Sequence, residues 1–149
     1  MCYECDLNRT NELEYIQMHT SYMIEAFEDI EKMADIMRER FKRAQDHMNL
    51  DDPDTLIGTG LSGALVIPRL ADIMGKRWAI VRKNDGSHSN NPVEGQIGHK
   101  WMFVDDLISS GNTLLRVKKV IREIAINWDF PTEYVGTYEY HYKRFRKDF

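Results

Sequence analysis

The chain has 149 residues, 24 acidic and 20 basic side chains, and a net charge of −4 at pH 7. That length suits one domain built on one core, and the acidic balance argues against broad electrostatic attachment to nucleic acid. No apolar run approaches the ~20 residues needed to span a bilayer, so no membrane association is expected. The opening Met1-Cys2-Tyr3-Glu4-Cys5 lacks the basic segment and apolar run of a secretory signal, so a cytoplasmic protein is expected.

Cys2 and Cys5 form a C-x-x-C pair with no second pair after it. A structural zinc site usually takes four ligands. The nearest histidine, His19, falls in a predicted helix. Two reduced thiols near a frayed terminus are the simpler expectation.

From Met23 the apolar residues Met23, Phe27, Ile30, Ala34, Met37, Phe41, Ala44 and Met48 recur at alternating steps of four and three. This places them on one stripe of a long helix. The stripe either covers a sheet within its own subunit or forms the seam of a homodimer; the mix of alanine and phenylalanine favours the former. Asp51, Asp52, Pro53 and Asp54 end the helix. Thr55-Leu56-Ile57-Gly58 is a short strand, Ser62 caps a predicted helix running to about Met74, and Gly75 closes it. Trp78 to Val81 is a second strand. Residues Asn84 to His99 are rich in Asn, Ser and Gly and are predicted as one long loop. Trp101 to Val104 is a third strand, Thr113 to about Asn127 a helix, and Glu133 to Tyr140 the last strand. The order predicts an α/β domain, a parallel sheet with helices on its faces. The tail from His141 onward carries Lys143, Arg144, Arg146 and Lys147, and is predicted to be solvated.

The segment from Trp101 to Thr113 carries the chemistry. An apolar strand ends in two carboxylates, Asp105 and Asp106; a short loop with Ser109, Ser110 and Gly111 follows, and a helix begins. In open α/β sheets ligands sit beyond the carboxyl ends of the strands. Backbone N–H groups at a helix start, with a glycine that permits a tight turn, form a phosphate cradle. The loop has no lysine, so it is not a Walker A motif. Adjacent carboxylates raise each other's pKa, and they make sense where they face hydroxyls or a hydrated cation. Taken singly these features fit an ordinary strand-to-helix turn; their order within one segment points to a ligand.

Val104 to Thr113 resembles the PRPP (5-phosphoribosyl-1-pyrophosphate) binding motif of type I phosphoribosyltransferases: apolar strand, two acidic residues, two apolar residues, then Ser-Gly-x-Thr. The resemblance implies that Asp105 and Asp106 hold the ribose 2′- and 3′-hydroxyls, and that Ser109, Ser110, Gly111, Asn112 and Thr113 hold the 5′-phosphate. Gly58-Thr59-Gly60-Leu61-Ser62-Gly63 follows the first strand as the pyrophosphate loop does in that family, which assigns pyrophosphate contacts to Thr59, Gly60, Leu61, Ser62 and Gly63. A non-proline cis peptide often sits in that loop; by position it falls at Leu61-Ser62, with an ordinary trans turn as the alternative. Arg82-Lys83 resembles the start of the mobile catalytic loop of orotate and adenine phosphoribosyltransferases. Arg82 and Lys83 would then reach pyrophosphate, with Lys83 in a catalytic role beside the acidic pair, although a solvated strand end explains them equally. His88 matches the histidine of the orotate pattern. Gly86 and Ser89 depart from it, standing where that pattern has lysine and glycine.

The resemblance spans about Thr55 to Tyr140. It implies transfer of phosphoribose from PRPP to a nitrogenous base with release of pyrophosphate, assisted by Mg²⁺ held near Asp105 and Asp106 through water or ribose hydroxyls. Ser109 stands where 6-oxopurine members carry an aspartate toward the purine, which counts against hypoxanthine and guanine. Tyr138, Tyr140, His141, Tyr142 and Phe145 are candidates for stacking on a base, or for core and edge packing, which is preferred. Regulators share this fold, so a non-catalytic module that binds PRPP is the alternative function.

Overall fold

The computed structural model describes residues 29–83, 91–106, 108 and 110–148. Met23, Phe27, His88, Ser109, Cys2 and Cys5 lie outside them. The first described helix, α1, spans Ile30–Met48 and is capped by the Asp29 side chain, which accepts from the Lys32 N–H. Asn49 closes it in the left-handed conformation, a geometry that Asn tolerates better than most residues. Strand β1 is Thr55–Thr59, helix α2 is Gly60–Met74 and strand β2 is Arg77–Val81. Gly75 ends α2 at φ 66, as its sequence position predicted. Strand β3 is Val93–Gly95, β4 is Lys100–Asp105, helix α3 is Asn112–Asn127, β5 is Glu133–Glu139 and β6 is Arg144–Arg146.

The six strands form one sheet in the order β3-β2-β1-β4-β5-β6. The inner four, β2-β1-β4-β5, are parallel, as the alternation of strand and helix predicted, whereas β3 and β6 pair antiparallel at the two edges. The sheet is therefore mixed. Part of the predicted long loop is strand β3, and part of the predicted solvated tail is strand β6.

Side chains alternate across the sheet and divide the core in two. Leu56, Met102, Val104 and Tyr138 join Ala34, Met37, Val66, Ile67 and Leu70 on the face covered by α1 and α2. Ile57, Ala79, Val81, Trp101 and Phe103 meet Leu114, Val117 and Ile121 of α3 on the other face. The described part of the N-terminal stripe is thus committed to its own subunit: Ile30, Ala34, Met37 and Ala44 are buried, while Met48, the last of the stripe, is exposed. Tyr138 and Phe145 pack in the same core with ring centroids 4.6 Å apart and planes tilted by 35°, which makes them packing residues.

The first crossover depends on two glycines. A Cβ on Gly58 would lie 2.6 Å from Cγ1 of Ile67, and one on Gly63 would lie 3.2 Å from the Gly58 carbonyl carbon. Helix α2 can therefore leave β1 almost in contact with the strand, and its N-terminus lands beside the carboxyl ends of β2 and β4.

Candidate functional site

The carboxyl ends of β1, β2, β4 and β5 bring together Thr59, Lys83, the acidic pair and Glu139. Asp105 is the last residue of β4 and Asp106 follows it. Both are partly buried, and the Asp106 N–H donates to the Asp105 carboxylate at 2.9 Å. Burial pushes the Asp105 carboxyl up to about 7, and the Asp106 side chain adds to this through a hydrogen bond and its charge. The Asp106 N–H and the Lys83 ammonium pull the other way. Tyr140 is buried next to the pair; burial and then the charges of Asp106 and Asp105 raise its hydroxyl above the usual tyrosine range. Its backbone N–H donates to the Asp105 carbonyl at 3.0 Å, as the His141 N–H does to Asp106.

Beyond the pair, Ser110 is exposed and Gly111 is buried. Gly111 stands before α3 at φ 77 and has no side chain to cap the helix, while the Asn112 N–H meets Oγ of Ser110 at 3.4 Å. A φ of that sign favours glycine. Helix α3 starts beyond the carboxyl end of β4, so its first turn stands at the same rim as the acidic pair, where helix-start N–H groups can meet an anion. Asn112 and Thr113 are exposed in that first turn. Four of the residues assigned to the 5′-phosphate, Ser110, Gly111, Asn112 and Thr113, are thus adjacent.

Across the rim, Thr59 ends β1 and Gly60 begins α2 at φ 71, so the helix starts before Ser62, the residue expected to cap it. The Leu61–Ser62 bond is trans, like the other described peptide bonds. Leu61 is exposed, while Ser62 and Gly63 are partly covered. Lys83 folds over this turn: a Cβ on Gly60 would be 2.9 Å from Cε of Lys83 and 3.3 Å from its Nζ. The ammonium thus lies at the glycine loop and is felt by Asp105, which brings together two segments linked only by their order in the sequence. Arg82 behaves differently. Its guanidinium pairs with Glu94 of β3 at 2.8 Å, beside the antiparallel edge.

Two residues at this rim escaped sequence reasoning. Arg116 of α3 donates to the Arg82 carbonyl at 2.9 Å and to Oγ1 of Thr59 at 2.8 Å, and the Thr59 hydroxyl donates to the Val81 carbonyl at 2.7 Å. Arg116 so ties the ends of β1 and β2 beneath the glycine loop. Nothing in its local sequence separates it from the other cations of α3. Glu139 is fully buried and accepts from the Ile108 N–H at 3.1 Å. The signal available for it was a carboxylate set between tyrosines in a predicted strand. Of the proposed stacking residues beyond the core, His141 and Tyr142 are exposed in the turn after β5. A separate cleft of about 710 Å³, lined by Trp101, Arg122, Phe130 and Tyr134, opens near the N-terminal ends of β4 and β5, away from this rim.

Among the described residues, no group of three or more His, Cys, Asp or Glu converges on one point as a metal cage would require, and no helix is long and apolar enough to cross a membrane.

No family model matches the chain. The transcriptional regulator GfcR of Methanococcoides burtonii is 30% identical over 102 residues, which is 62% of this chain and 47% of that protein. The structure of Leishmania donovani UMP synthase superposes with a TM-score of 0.54 at 16% identity, covering 80% of this chain and 24% of that one. Adenine phosphoribosyltransferase from Leishmania tarentolae gives a TM-score of 0.51 at 17% identity, covering 78% of this chain and 60% of that one. The chain therefore spans less than two thirds of the length of each of these proteins.

Proposed function

We propose that this chain, which has the type I phosphoribosyltransferase fold, binds PRPP along the carboxyl rim of its sheet and transfers the phosphoribosyl group to a nitrogenous base, releasing pyrophosphate. One arrangement carries the proposal: the acidic pair at the end of β4 lies between the N-terminus of α3 on one side and Lys83 over Gly60 on the other. A PRPP molecule presents its groups in the same order, with a phosphate, then two vicinal hydroxyls, then a pyrophosphate.

In this reading Asp105 and Asp106 accept hydrogen bonds from the ribose hydroxyls. The N–H groups at the start of α3, with the hydroxyls of Ser109, Ser110 and Thr113, hold the 5′-phosphate. The backbone from Thr59 to Gly63, with Lys83, faces the pyrophosphate. Fixing the ribose by both ends leaves the anomeric carbon as the part free to move toward the incoming nitrogen. As the bond to pyrophosphate stretches, the ring gains positive character near the carboxylates and the leaving group gains negative charge near Lys83. Adjacent carboxylates without a closed cage suit a Mg²⁺ that keeps its waters and shares ligand oxygens, and when bound it would neutralise pyrophosphate charge. Arg82 reaches the ligand in this scheme only by leaving Glu94. His88, outside the described residues, keeps its place in this scheme only through its match to the orotate pattern.

The similarity to a transcriptional regulator favours a second reading, in which the same rim binds PRPP or a related nucleotide as a signal and transfers nothing. Incubating the protein with PRPP, Mg²⁺ and a panel of adenine, hypoxanthine, guanine, uracil and orotate, then measuring pyrophosphate, separates the two. Release dependent on one base supports transfer. Calorimetric PRPP binding without release from any base leaves the regulator, and the absence of both binding and release rejects both readings.

A further inference from the structure

Glu139 is the last residue of β5, and its side chain has no exposed surface. A carboxylate taken out of water needs partners, and these come from two directions. One oxygen accepts the Ile108 N–H at 3.1 Å, within the loop that joins the acidic pair to α3. The other takes Nε of Arg144 at 3.1 Å and Nε of Arg146. The register explains the second set: Arg144 lies directly opposite Glu139, and Arg146 lies opposite Thr137 on the same ladder. Residues two apart on a strand share a face, so both guanidinium groups reach Glu139, while Phe145 between them turns into the core.

We propose that Glu139 is a positioning residue for the 5′-phosphate loop. Clamped by Arg144 and Arg146, it holds the Ile108 N–H and sets the path by which the chain leaves Asp106 and enters α3. The basic C-terminal segment then belongs to the ligand site without touching ligand. This inference rests on the 5′-phosphate site proposed above. A carboxylate has room for all three donors because its two oxygens offer about four lone-pair directions. A glutamine keeps one acceptor oxygen and turns an NH₂ toward the other donors.

The test uses two probes by calorimetry on the full chain: ribose 5-phosphate for the loop after the acidic pair, and inorganic pyrophosphate with Mg²⁺ for the glycine loop. Glu139→Ala is expected to weaken ribose 5-phosphate about tenfold, the scale of losing a charge-assisted hydrogen-bond network, and to leave pyrophosphate within about twofold. Glu139→Gln should fall between Glu139→Ala and the wild type. Arg144→Met, at a side chain 46% exposed, keeps the test available if Glu139→Ala does not fold; it should weaken ribose 5-phosphate severalfold with a cooperative melt retained. Equal loss of both probes, or unchanged ribose 5-phosphate affinity in the folded variants, overturns the inference alone. Wild-type protein that binds neither probe overturns the proposed site and this inference with it.

Discussion

Asp105 sits where burial and a neighbouring carboxylate both favour its protonated form, with its carboxyl at about 7. A carboxyl raised above its unfolded value binds its proton more tightly when folded, so it costs stability as pH rises from about 4 to about 7. Asp105→Asn should therefore melt higher than the wild type at pH 8, by about 1–2 kcal/mol after discounting for its partial exposure, and the gap should close near pH 4. No difference between the two melting curves at pH 8 would contradict the buried, strained pair. Binding should move the other way. If the ionised pair accepts the ribose hydroxyls, PRPP affinity in the wild type falls about tenfold from pH 8 to pH 6. Asp105→Asn should lose affinity and flatten that part of the profile. The pair stood out in the sequence through its order within one segment, an apolar strand, two aspartates, a Ser-Gly loop and a helix start, since two aspartates alone fit an ordinary strand-to-helix turn. Lys83 was legible only as one of two alternatives, since its approach to Gly60 depends on the packing of β2 beside β1. Arg116 was not legible at all, because its bonds to Thr59 and to the Arg82 carbonyl span 57 and 34 residues.

The elements that sequence pattern identified well are those long enough to repeat. Helix α1 declared itself through its stripe, and its described part packs as a sheet-covering helix. Met37→Asp, at a site 1% exposed, should cost about 3 kcal/mol or more and lower the melting temperature; a folded variant with unchanged melting that sediments as a smaller species would instead make the stripe a dimer seam. The crossover from β1 to α2 makes a second element-scale prediction. Gly58→Val drives side-chain atoms into Ile67, which stands 2.6 Å from the first added carbon, and should destabilise the fold by about 1–3 kcal/mol, measured by urea denaturation. Strands β3 and β6 were missed for a physical reason. Each has three residues, too few to show alternation, and each is recruited by the edge of a sheet already formed. Arg-Phe-Arg in β6 looks like a charged tail until Tyr138 and Glu139 stand opposite it. The start of α2 was placed at Ser62 because a hydroxyl is the usual cap, but the helix begins at Gly60 and the Thr59 hydroxyl is engaged by Val81 and Arg116.

At the scale of the molecule, four parallel strands deliver their carboxyl ends to one rim, and two α/β crossovers start there. The glycine loop and the α3 N-terminus therefore stand on either side of the acidic pair, although about fifty residues of sequence lie between them. Much of this rim was foreseeable, since the order of strand, glycine loop, acidic pair and helix start is written along the chain. What anchors it was not, because the buried Glu139 and its two arginines meet only when the C-terminal strand folds back on β5. The most direct measurement is a calorimetric titration of PRPP with Mg²⁺ into the wild type and into Asp105→Asn/Asp106→Asn, with melting curves showing both folded. The wild type should bind, and the double variant should bind at least about a hundredfold more weakly, the scale of losing two hydrogen bonds to charged groups. Equal affinity in the two proteins, or no heat of binding in the wild type, would contradict PRPP recognition by this rim.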